Sequence, residues 1–145
     1  MKMNKKGVIG LPLRLAMTFL ILSLSVPIVV YMVDDLRDDS DISLLRNEAS
    51  RVSDTVSQAY YSGEGGIFTV EISVKSGCRL TIGGEGKDAY SIGLFLGDTE
   101  KERIYLQRPS ARIVNECLDI SGDRILQCKS VRIGGTYGVE VSIIA

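Results

Sequence analysis

Few side chains in this chain are of a type and spacing that could do chemistry. Histidine and tryptophan are absent from its 145 residues, which removes the commonest general base and the commonest zinc ligand. Three cysteines remain, Cys78, Cys117 and Cys128. The run Gly83-Gly84-Glu85-Gly86-Lys87-Asp88 superficially matches a phosphate-binding loop. However, Thr81 stands where the first glycine is needed and Asp88 where a hydroxyl should meet magnesium, so the run reads as a turn between strands. Asp34, Asp35, Asp38, Asp39 and Asp41 offer carboxylates to a hard cation, but lack the ordered spacing and distal glutamate of a calcium loop. No serine, cysteine or lysine comes with a recognisable base and orienting partner. The sequence thus predicts no catalytic residue, no metal ligands and no cofactor, and a protein that is not an enzyme.

The elements around these residues are more informative. Leu15 to Val33 carries no charge over 19 residues, about 28 Å of helix at ~1.5 Å per residue, close to the ~30 Å hydrocarbon core of a bilayer. Lys2, Lys5, Lys6 and Arg14 precede this run, and the five aspartates with Arg37 follow it. Basic residues are retained on the cytoplasmic side, so the N-terminus is expected inside and residues 34–145 outside. The formal net charge is −1 and the basic residues beyond the leader lie among acidic ones. No stripe suited to tracking phosphates results, which argues against a nucleic-acid partner.

Beyond the membrane run, Ile42, Leu45, Ala49, Val52, Val56 and Ala59 recur at helical spacing and predict an amphipathic helix, capped by Asp41 and ended by Ser62-Gly63-Glu64-Gly65-Gly66. Whether it continues the membrane helix is open in the sequence, since Asp38-Asp39-Ser40-Asp41 suits a solvated helical turn or a break. From Ile67 the period becomes 2. About seven strands follow, including Ile113 to Ile120, Arg124 to Ile133 and a run ending at Arg108-Pro109. The fold class is therefore α+β: an N-terminal transmembrane helix, an amphipathic helix and a small antiparallel β-sheet or sandwich domain. In segments, this is a basic leader over 1–7, a transmembrane helix over 8–33, an acidic collar and amphipathic helix over 34–62, and an extracellular β domain over 63–145. A hairpin turn at Gly122-Asp123 would place Cys117 opposite Cys128, within reach of a disulfide in an oxidising compartment. Cys78 is then left over as a buried small side chain.

Lys5-Lys6-Gly7-Val8, a short basic segment ending in glycine and running straight into apolar sequence, resembles the class III signal of type IV pilin-like proteins, and most of all that of archaeal members. The resemblance implies cleavage after Gly7 by a prepilin-type peptidase, leaving Val8 first. It also implies partners that are pilin-like subunits held through the N-terminal helix. Counting from Val8, the fifth position, a glutamate in many pilins, is Pro12, so a minor or pilin-like subunit of a surface filament is implied rather than a major pilin. Two other readings stay open. One is a permanently anchored extracellular binding module that does not assemble; the other is a secreted domain freed near Ser23-Leu24-Ser25.

Overall fold

The computed structural model describes residues 5–106 and 111–145, with side chains from residue 10 onward. From Lys5 the backbone winds into one helix, α1 (Lys5–Tyr61, 57 residues), which takes in both Pro12 and Pro27. The acidic stretch Asp38 to Asp41 is helical throughout. Asp41 is therefore not the cap of a second helix; its carboxylate accepts a hydrogen bond from Lys75 Nζ at 2.7 Å. The chain divides into two compact units, Met1–Asp39 and Ser40–Ala145.

In the first unit the apolar side chains from Leu11 to Val33 are exposed. An 18-residue window of α1 reaches a mean hydropathy of 2.2, so the helix is long and apolar enough to cross a membrane. The serine and threonine hydroxyls within this stretch are satisfied by the helix itself. Thr18 donates to the carbonyl of Arg14 at 2.8 Å, Ser23 to that of Leu20 at 2.9 Å and Ser25 to that of Ile21 at 2.7 Å, which leaves them compatible with a surrounding that offers no hydrogen bonds.

The second unit takes the last turns of α1 and builds on them. Leu45, Ala49, Val52, Val56 and Ala59 are all but fully buried, while Arg46, Asn47, Ser50, Arg51 and Gln58 are not. Seven strands follow among the described residues: β1 (Ile67–Val74), β2 (Cys78–Ile82), β3 (Ser91–Leu96), β4 (Thr99–Tyr105), β5 (Leu118–Ile120), β6 (Gly122–Ile133) and β7 (Thr136–Ile143). They form two antiparallel sheets, one ordered β1-β6-β7 and the other β4-β3-β2-β5. Alternate residues of each sheet face inward: Val70, Ile72, Leu126, Cys128, Val139 and Val141 from the first, and Leu80, Ile82, Ile92, Leu94 and Ile120 from the second. Together with the buried side chains of α1 they make one continuous apolar core.

The hairpin expected at Gly122-Asp123 does not form. Ile120 of β5 lies opposite Leu80 of β2, whereas β6 lies between β1 and β7. Gly122, at φ 73°, turns the chain from one sheet into the other, a backbone conformation that glycine adopts without steric cost. Cys128 consequently sits opposite Phe68 and Val141, and Cys117 just before β5 in the other sheet. Both are free thiols, and the Cys117–Cys128 bridge is absent. Cys78 is buried on β2, opposite Leu96. The strand expected over Ile113 to Ile120 shrinks to β5, with Ile113 making an isolated parallel bridge to Val139. The expected strand end at Arg108-Pro109 lies outside the described residues.

Two neighbouring leucines test the packing of α1. Leu45 is 2% exposed and Leu44 54%. Leu45→Ala is expected to destabilise the β domain by about 2–5 kcal/mol, and Leu44→Ala to stay within about 0.5 kcal/mol of the parent, as read by denaturant unfolding of the full chain in micelles.

Candidate functional site

The two residues of the expected processing site, Gly7 and Val8, belong to the backbone of the first turns of α1. The exposed apolar stretch begins four residues later. Arg14 is exposed within it, and its only charged neighbours along the sequence are Lys6 before and Asp34 after.

The densest polar cluster lies on the four-stranded sheet, on the face opposite the core. Gly93 stands in the middle of β3, where the alternation calls for a side chain. A Cβ there would come to 3.0 Å from Phe95 Cε2 and 3.3 Å from Arg103 Nη2, so the missing side chain is the space in which both lie down. Arg103 donates to Glu100 at 2.6 Å and to Ser91 Oγ at 2.7 Å, and lies 3.4 Å from Asp88. The hydrogen bond to Glu100 holds its guanidinium above the ordinary arginine range. Arg79 stacks on Phe95, its guanidinium carbon 4.6 Å from the ring centre, with Nε buried and without an acceptor. Thr81 donates to Asp119 at 2.8 Å. The cluster thus contains two satisfied pairs, Arg103 with Ser91 and Thr81 with Asp119. One cue to the cluster is legible in the sequence, the glycine at 93; the cross-strand partners depend on a register that spacing does not reveal.

Next to this sheet an open recess of about 640 Å³ is lined by Gly84, Glu85, Arg112, Asn115, Glu116 and Cys117, among others. Cys117 is exposed, but its thiol is pushed up, first by partial burial and then by the carboxylate of Asp119, so it is a poor nucleophile at neutral pH. Burial pushes the Cys128 thiol up to about 12. Among the described residues no group of three or more cysteine, aspartate or glutamate side chains is placed to hold a metal ion.

Asn115 has a role that its sequence context does not announce. Its side-chain amide donates to the carbonyl of Val141 and accepts from the Val141 N–H at 3.0 Å. Just before it, Val114 N–H donates to Val139 O at 2.9 Å and Val139 N–H to Arg112 O at 2.8 Å. The segment from Arg112 to Asn115 thus covers the free edge of β7, with Asn115 acting as a stand-in for one more strand residue. Gly138 lets this strap approach, since a Cβ there would collide with Val114 Cγ2.

Two outcomes follow from these placements. Under non-reducing conditions at pH 8, iodoacetamide should label Cys117 slowly and leave Cys128 unlabelled until the chain is unfolded, with peptide mapping finding no Cys117–Cys128 linkage. Asn115→Ala should cost about 1–3 kcal/mol, because it leaves the N–H and C=O of Val141 without their partner, and should speed hydrogen exchange at Val141 before any other position of β7. Comparison with protein-family models, with curated proteins and with solved structures found no match to this chain.

Proposed function

We propose that this chain is a pilin-like subunit of a surface filament or of its assembly machinery, of a minor kind and of archaeal type. A single observation carries the reading: one helix, α1, holds an exposed apolar stretch long enough to cross a bilayer and then, from Leu45 to Ala59, a buried seam around which the β domain is built. In the finer terms of the proposal, the second part of α1 is amphipathic and the two sheets it closes form a small sandwich. The leader residues up to Gly7 are cytoplasmic, and residues 34–145 are extracellular. A prepilin-type peptidase cuts between Gly7 and Val8, and the freed apolar helix packs against the same helix of other subunits. The role is structural or adhesive, and the β domain is the part presented to the outside.

The placement of charge supports this orientation. Lys5 and Lys6 lie before the apolar stretch, Arg14 lies near its start, and four aspartates directly follow its end. The N-terminal residue of the mature protein tests the proposal. Val8 is the expected result, with Gly7→Leu blocking processing. An intact Met1 would favour an anchored binding module that does not assemble, and Val26 a secreted domain.

A further inference from the structure

We propose that Arg14 finds its counter-ions in Asp34 and Asp38 of a second copy of this chain, displaced along the helix axis by about one membrane thickness. The inference rests on the pilin-like reading above and names the contact through which copies add to one another. Arg14, Asp34 and Asp38 are all exposed, and Asp34 and Asp38 have no ion-pair partner among the described residues. Arg14 is the one charge in the apolar stretch. While the chain spans a bilayer, it can reach the cytoplasmic interface; once its helix is drawn out against other helices, that water is gone, and an unpaired guanidinium among apolar side chains is strongly disfavoured.

The helix acts as a ruler for what can meet it. It runs without interruption from Arg14 through Pro27 to Asp38, so Asp34 stands about 30 Å beyond Arg14 at ~1.5 Å per residue. Copies inserted by the same charge rule lie parallel. In register, parallel copies set Arg14 beside Arg14. At intermediate offsets Arg14 faces the uncharged stretch from Leu15 to Val33 of its neighbour. An offset of about 30 Å, which is also the thickness of the hydrocarbon core, brings the Arg14 of a copy drawn outward to the level of Asp34 in a copy still spanning the membrane.

The angular positions make this contact repeatable. At ~100° per residue, Asp34 and Asp38 point about 200° and 240° around the axis from Arg14, on the other side of the helix. Each copy therefore offers its arginine to one neighbour and its carboxylates to another. Such a head-to-tail contact with an axial displacement cannot close into a ring and extends as an open filament.

Charge exchange in the full chain, in a host that supplies the peptidase and assembly machinery, tests the proposal. Filaments are counted by electron microscopy, and membrane levels of each variant are measured to exclude failed insertion. Arg14→Asp and the double variant Asp34→Arg, Asp38→Arg are each expected to lower filament number at least tenfold at parental membrane level. Their combination should restore it. A photo-crosslinking residue at Leu15 should couple to residues 33–39 of another copy. Crosslinks to residues 11–19 instead, no rescue by the combined variant, or normal filaments from Arg14→Gln would overturn the pairing while leaving the pilin-like reading in place; the last would assign Arg14 to lipid phosphates. A parent chain that is processed to no new N-terminus and forms no filaments would overturn both.

Discussion

The β domain depends on the burial of five side chains from a helix that begins outside it. Leu45, Ala49, Val52, Val56 and Ala59 supply the apolar surface against which both sheets close. A domain of this size has too little core to spare any of its layers. The two sheets share no ladder of hydrogen bonds, so the core, and α1 within it, is what makes them one body. The leucine, valines and alanines of this seam belong to the same buried cluster as the inward residues of both sheets.

Polar contacts then fix where α1 lies against the strands. Arg46 meets Glu102 of β4 at 2.7 Å, and the hydrogen bond to that carboxylate holds the guanidinium above its ordinary range. Glu48 accepts the N–H of Ser73 on β1 at 3.1 Å, and Asp41 pairs with Lys75 just past β1. These pairs lie on the surface and contribute little stability individually; what they specify is rotation and register of the helix. They also contribute to covering strand edges. β1 is occupied by Glu48 at Ser73, and β7 by the strap that ends in Asn115. β5 is only three residues long, and β4 carries Glu100, Lys101, Glu102 and Arg103 in succession. Each device discourages a stray strand from adding to the sheet.

Much of this could be read in the sequence because it rests on periodicity. The spacing of Leu45 to Ala59 marks the seam, the two-residue alternation of Phe68 to Val74 and Tyr90 to Leu96 marks strands, and the charge-free run from Leu15 marks the apolar helix. What could not be read was pairing. Gly122-Asp123 has the composition of a hairpin turn, yet a glycine at positive φ serves equally well as a corner between sheets, and only the core decides which. The Cys117–Cys128 bridge fell with that choice, since it depended on strands that turn out to be in different sheets. Asn115 and the Arg103 cluster were hidden for the same reason: their partners lie 26 and 12 residues away, set by tertiary register rather than by local pattern. Gly7 and Val8 stand apart, because their meaning is carried by resemblance alone.

The central claim is that α1 from Leu45 to Ala59 is an integral layer of the β domain. Hydrogen exchange of the full chain in micelles, followed residue by residue, tests it directly. The amides from 49 to 59 should exchange only when β2 and β3 do, at the rate of global unfolding. Fast exchange along this segment while the strands stay protected would show that the sheets close without the helix, and would contradict the account.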